Sequence, residues 1–188
     1  MRFVILGGSG SGKSTQAQML CWQYKIPLIS TGEVLRSAIT NGLELGNQAL
    51  PYMRRGELVP DELMIEFIRI RLQEADVAQG WVLEGYPRTA FQAEELDFLL
   101  EELGQSLNWA IYLQVPEVVM VGRSLGRSLP DDQPEIVHRR VELFYDRTVP
   151  ILEYYDRRRR LLTINGDQSP DLVQEDLIGL LFPEKNIR

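Results

Sequence analysis

Residues 7–15 read GGSGSGKST, four glycines and four hydroxyl side chains around one lysine, directly after a short apolar run. Gly7, Gly12, Lys13 and Ser14 satisfy the spacing G-x-x-x-x-G-K-[ST], whose chemistry is the holding of phosphate. Glycines let backbone N–H groups turn inward, and those amides join the N-terminal pole of the following helix in binding phosphate oxygens. A lysine at position 13 can reach the outer phosphates and a serine at 14 can face magnesium. A Gly/Ser linker is the competing reading, but linkers do not sit between a buried strand and a helical pattern. The donor is therefore a nucleoside triphosphate, and the acceptor has to be found elsewhere in the chain.

Two later stretches supply candidates. In STGEVLR, residues 30–36, Ser30 and Glu33 have the spacing of a capping box that starts a helix. Arg36, one turn on, suits either a phosphate oxygen or solvent. In WVLEGYPRTAFQ, residues 81–92, Glu84 ends an apolar run where the carboxyl edge of a parallel sheet opens to ligand. A carboxylate there can hold magnesium, directly or through its waters. Gly85 and Pro87 make a turn from which Arg88 can enter the same crevice. Lys13, Arg36 and Arg88 are cations that a phosphoryl group in transit could use, since its transfer needs positioning and positive charge more than covalent help.

The elements that must position these residues follow from hydrophobic pattern. Residues 2–6, 27–29, 81–83, 109–115 and 161–164 are short apolar runs with little alternation, as expected of strands covered on both faces. Helical spacing separates them, including Leu63, Phe67 and Ile70, and Phe91 and Phe98 with Leu96, Leu99 and Leu100. Alternating strands and helices predict an α/β fold of three layers, α/β/α, with a five-stranded parallel sheet in the middle. Residues 30–59 carry two helical patterns without a strand and read as an insertion that forms part of a site. Residues 124–134, SLGRSLPDDQP, read as a polar connection between two helices. At 188 residues one domain, spanning 1–188, is expected.

Composition narrows the function. A net charge of −7 argues against a nucleic-acid binder. No apolar run approaches a membrane span, and residues 3–6 are too short for the core of a signal peptide. One cysteine, Cys21, and one histidine, His138, leave neither an internal disulfide nor a zinc cluster. A cytoplasmic monomer acting on small molecules, with no nucleic acid or membrane partner, is the expectation. Trp22, Trp81 and Trp109 are read as core, Cys21 as a small buried residue, His138 as a helix-surface group and the run Arg157 to Arg160 as a complement to a helix C-terminus.

In order and spacing, GGSGSGKSTQ, STGEVLR, GELV (56–59), EGYPRTAFQ, VGRSLGR (121–127) and DDQPEIVHRRV (131–141) resemble the motifs of the adenylate kinases, which are P-loop nucleoside monophosphate kinases. The resemblance runs from Arg2 to about Gln168. It implies magnesium-dependent transfer from ATP to AMP, giving two ADP. It also implies that residues 30–59 hold AMP and that residues 124–134 form a short lid. By similarity Gly10, Ser11, Gly12, Lys13, Ser14 and Thr15 bind ATP, with Arg123, Arg127 and Arg140 around its phosphates and the loop to Gln168 over its adenine. Thr31 would face the AMP base, Glu57, Leu58 and Val59 would lie along it, and Gln92 would read its edge. Arg36, Arg88 and Arg140 would take the AMP phosphate beside the turn Gly85, Tyr86 and Pro87; Ser14 and Glu84 would hold magnesium. Three departures stand out. Leu129 occupies the place, two before Asp131, where short lids usually carry arginine, so Arg127 is the only lid candidate. Glu33 and Glu84 replace the usual aspartates, and Ser14 replaces a common glycine. A kinase for UMP, CMP or GMP, or an adenylate sensor with weak catalysis, are the alternatives; Thr31, where pyrimidine-using relatives typically carry alanine, favours AMP.

Overall fold

In a computed structural model of the chain, residues 1–127, 129 and 132–182 are described. The elements run β1 (Arg2–Leu6), α1 (Lys13–Tyr24), β2 (Leu28–Ser30), α2 (Thr31–Thr40), α3 (Glu44–Arg55), α4 (Asp61–Arg71), β3 (Trp81–Glu84), α5 (Ala90–Glu102), β4 (Trp109–Gln114), α6 (Glu117–Gly126), α7 (Pro134–Leu143), α8 (Val149–Arg157), β5 (Leu161–Asn165) and α9 (Pro170–Leu181). All five strands pair in parallel in the order β2-β3-β1-β4-β5. β1 is thus central, and the chain leaves it first toward β2 and later crosses back to β4. The reversal opens a crevice at the carboxyl ends of β1 and β3, where ligands of such sheets sit.

Alternate residues of each strand feed two cores. Val4, Leu6, Leu83 and Ala110 pack with Leu96, Leu99 and Leu100 of α5 and with Ile151 and Tyr155 of α8. Phe3, Ile5, Val82, Ile111 and Leu113 pack with Ala17 and Leu20 of α1 and with Val173 and Leu177 of α9. Both faces of each strand are therefore apolar, which produces continuous apolar runs without polar alternation. The three-layer α/β/α arrangement follows directly.

Several expectations are corrected. β2 is displaced by one residue, so that Ser30 closes the strand, and β4 stops at Gln114. Trp22 does not pack the core; it is 86% exposed. The buried face of α1 is Gln16, Ala17 and Leu20, and Trp22, two residues past Leu20, points about 200° around the helix. Trp81 is fully buried and Trp109 half-buried. On α4 the buried stripe is Met64 and Ile68 rather than a stripe ending in exposed Ile70, and on α5 Phe91 and Phe98 face solvent. The connection after α6 is also shorter than 124–134, because Ser124, Leu125 and Gly126 belong to the helix. Asp131 lies outside the described residues.

The arginine run ends α8 as expected. Arg158 lies over the Tyr154 ring at 3.6 Å from its centroid, and Arg158 and Arg160 approach Asp97 of α5 at 3.6 and 3.8 Å. His138 is on the surface of α7. Cys21 is half-buried, and desolvation pushes its thiol up to about 11, which leaves it protonated and unreactive near neutral pH.

Candidate active site

The crevice at the end of β1 is lined by the glycine-rich loop, α2, residues 56–59, the turn after β3, Arg127 and Arg140. The loop contributes Gly10, Gly12, Lys13, Ser14 and Thr15, with α1 beginning at Lys13. The loop and the first turn of a 12-residue helix therefore line one hollow, the arrangement that binds anions. Gly10, at φ 82°, lies against the Met120 carbonyl of α6, leaving no room for a Cβ. The loop is thereby wedged onto α6, with only a hydrogen at that position.

Lys13 is half-buried and donates to the Gly8 carbonyl at 2.7 Å. Desolvation is the main reason its pKa falls to about 8; Glu84 opposes the fall, while Arg88, Arg127 and Arg140 add to it. An ammonium so crowded by cations gains strongly from an anion beside it. Arg88, exposed at the edge of the cleft, is also held below its usual pKa, by desolvation first and by Arg140 and Arg36 second. Together these shifts describe a hollow organised for negative charge.

Glu84 sits at the C-terminal end of β3, half-buried between two serines. Ser14 donates to its Oε1 at 2.9 Å and Ser30 to its Oε2 at 2.7 Å. Strand register explains the second contact, since Ser30 pairs with Glu84 across the sheet. That neighbour displaces the expected capping box: Ser30 is the N-cap of α2 but makes no side-chain cap, and Glu33 is exposed. Thr31 is buried and donates to the Glu84 carbonyl at 3.3 Å. Gly85, at φ 88°, takes a conformation that side chains resist, and a Cβ there would collide with the Thr31 hydroxyl. The Tyr86–Pro87 bond that follows is cis.

Arg127 is the residue directly after α6. Its Nε donates to Asp132 Oδ2 at 3.1 Å and its Nη2 to Asp132 Oδ1 at 2.8 Å, a bidentate fork. Nη2 also donates to Ser9 Oγ in the loop at 3.0 Å. Arg140 on α7 reaches the same Asp132 Oδ1 at 3.4 Å. The Asp132 side chain is 1% exposed, so one buried carboxylate holds two guanidinium groups at the cleft. Sequence reasoning missed this residue, although its place beside arginine-rich helices was a signal. The spacing of Arg127, Asp132 and Arg140 says nothing of which arginines a carboxylate will meet.

Arg36 lines the cleft from α2, and its guanidinium makes no hydrogen bond or ion pair with any described residue. Gln92, buried on α5, is held at both ends of its amide: its Oε1 accepts from the Arg88 N–H at 2.8 Å, and its Nε2 donates to Asp61 Oδ1 at 2.6 Å. Asp61 is a second residue the sequence did not single out. Glu57, Leu58 and Val59 line the cleft beside Gly85, Pro87 and Arg88.

Four expected site residues lie off this lining. Tyr86 is buried in the core, its hydroxyl donating to the Gln92 carbonyl at 3.2 Å. Ser11 is buried beneath the loop with its hydroxyl unpartnered. Arg123 donates to the Gly166 carbonyl at 3.0 Å and to Asp167 at 3.3 Å. Gln168 donates to the Asn165 carbonyl and to Asp176. Arg123 and Gln168 instead brace the turn after β5, on the flank of the phosphate loop. Among the described residues no three His, Cys, Asp or Glu side chains group to hold a metal, and no helix is long and apolar enough to cross a membrane.

A parallel sheet of this order, with a glycine-rich loop and lysine at the end of its central strand and a converging ring of arginines, defines a P-loop protein equipped for phosphoryl groups. The comparison with known sequences makes this specific. A family model described as adenylate kinase matches residues 5–160. Adenylate kinase 2 of Nostoc sp. (strain PCC 7120) is 77% identical over 182 residues, covering 97% of this chain and 99% of the relative. Adenylate kinase 2 of Synechocystis sp. (strain PCC 6803) is 56% identical over 181 residues, covering 96% and 100%. The adenylate kinase of Gloeobacter violaceus is 36% identical over 215 aligned positions, covering 96% and 98%. The chain belongs to the adenylate kinase family.

Proposed function

We propose that this chain moves the γ-phosphoryl group of ATP to AMP, giving two ADP, and that the cleft between the glycine-rich loop and residues 30–59 is where it does so. The observation that carries the reading is the convergence of Lys13, Arg36, Arg88, Arg127 and Arg140 on one cleft in a member of the adenylate kinase family. We take residues 1–188 as one kinase domain, with residues 30–59 as the AMP-binding insertion and 124–134 as a minimal lid.

In this reading the amides of Gly10 to Thr15 and the Lys13 ammonium hold the ATP phosphates, with Arg123 and Gln168 bracing the flank near its base. Arg36 and Arg88 take the AMP phosphate. Thr31, residues 57–59 and Gln92 surround the AMP base, and Gly85, Tyr86 and Pro87 set the turn that aims Arg88. Arg127 and Arg140, preset by Asp132, stabilise the charge that spreads over the equatorial oxygens of the group in flight. Because Asp132 already holds both guanidinium groups, little reorganisation is needed when the substrates arrive.

Ser14 and Glu84 offer hard oxygen donors side by side at the end of the loop, which fits magnesium, an ion that takes few protein oxygens and keeps several waters. Held there with ATP, directly by Ser14 and Glu84 or through its waters, magnesium would supply neutralisation of charge at the phosphates. A coupled assay tests the function: AMP-dependent ADP formation from ATP and magnesium is expected, faster than with UMP, CMP or GMP. Absence of ADP formation, with ATP and AMP still bound, would favour the sensor alternative.

A further inference from the structure

Ser9 stands in the phosphate loop at a position where the motif specifies no residue type. Its hydroxyl has an unusual set of partners. Ser124, fully buried in the last turn of α6, donates to Ser9 Oγ at 2.9 Å. Arg127 Nη2 donates to the same oxygen at 3.0 Å. A serine hydroxyl has two lone pairs and one hydrogen, so both acceptor sites of Ser9 are engaged. Its own hydrogen has no acceptor among the described residues. Ser9 lines the cleft with Gly8, Gly10 and Lys13.

A hydroxyl whose lone pairs are both taken can act in that cleft only as a donor. One of the groups donating to it is a guanidinium, which draws electron density from the oxygen and strengthens the bond its hydrogen makes. The ionised oxygens of a polyphosphate are strong acceptors, the partners such a donor selects. We infer that the Ser9 hydroxyl is a further phosphate ligand of the ATP site, held as a donor by Arg127 and Ser124. The inference rests on the reading of the loop as the ATP site.

The experiment separates the two. Binding of ATP and of inorganic tripolyphosphate to the full chain is measured by calorimetry for the wild type, Ser9→Ala, Ser9→Thr, Ser124→Ala and Lys13→Ala, with AMP binding and Tm as controls. Losing a hydrogen bond to a charged group should weaken both polyphosphates about tenfold to a hundredfold in Ser9→Ala. AMP affinity should stay unchanged, and Ser9→Thr, which keeps the hydroxyl, should restore binding. Ser124→Ala should lose far less, because it leaves the donor in place. Should Ser9→Ala fail to fold, Ser9→Cys carries the same test with a weak donor of similar size. Equal losses in Ser9→Ala and Ser124→Ala would reduce Ser9 to a structural tie and overturn the inference. Unchanged binding in Ser9→Ala with binding lost in Lys13→Ala would also overturn it while leaving the ATP site intact. Unchanged binding in both would overturn the ATP-site reading together with it.

Discussion

Replacing Arg127 with alanine removes three contacts at once: two to Asp132, at 3.1 and 2.8 Å, and one to Ser9 at 3.0 Å. Two effects follow, and they separate experimentally. For stability, breaking a buried ion pair commonly costs about 3–5 kcal/mol. Here the Arg127 side chain is 39% exposed and Asp132 keeps Arg140 at 3.4 Å, so solvent and the second guanidinium reduce the loss to about 2 kcal/mol. For a chain of 188 residues that is a fall in Tm of roughly 4–8 °C. For turnover, a cation acting mainly in the transition state typically contributes a factor of about 100 or more. No second arginine stands in the described part of the connection between α6 and α7, so nothing substitutes. Arg127→Lys should keep most of the defect, because a single ammonium cannot form the fork. The assay is ADP formation at saturating ATP and AMP, run well below the Tm of each variant, beside a urea melt. Near-normal kcat in folded Arg127→Ala would refute the assignment of the lid role to this residue.

Substitutions at three other positions have expected outcomes. Lys13→Ala should abolish transfer; moreover, because the Lys13 pKa lies near 8 in the free protein, ATP binding between about pH 8 and 10 should draw a proton from solvent in the wild type but not in the variant, read by calorimetry in buffers of different ionisation enthalpy. The same shift has a stability sign: a folded pKa depressed from 10.5 to about 8 means the unfolded chain binds more protons between those values, so the Lys13 contribution to stability rises with pH across that window, absent in Lys13→Met. Asp61→Ala frees one end of the Gln92 amide and should raise KM for AMP several-fold with KM for ATP unchanged, since both residues sit away from the glycine-rich loop; Gly85→Ala, strained by its positive φ and by the Thr31 hydroxyl, should lower stability by about 2 kcal/mol, read as a loss of Tm.

What could be read from the chain alone follows from how far each interaction reaches along it. The glycine-rich loop, the five strands and the alternation with helices depend on neighbours a few residues apart, so composition and period reveal them. Two-sided burial of the sheet even explains why the strands lack alternation. Helix faces are harder, because an apolar residue near the stripe need not lie in it. Trp22 and Phe98 are large and apolar, yet the neighbouring elements cover only one side of α1 and α5, and these residues fall on the other. The partners of the polar groups were decided by tertiary structure. Ser30 had the spacing of a helix cap, but parallel pairing of β2 with β3 brought it to Glu84, 54 residues away. Asp132 became the common partner of Arg127 and Arg140 because α6 and α7 fold back over the phosphate loop, and Ser9 met Arg127 across 118 residues for the same reason. A local pattern specifies which groups can donate and accept; only the packing of distant elements selects which of them meet.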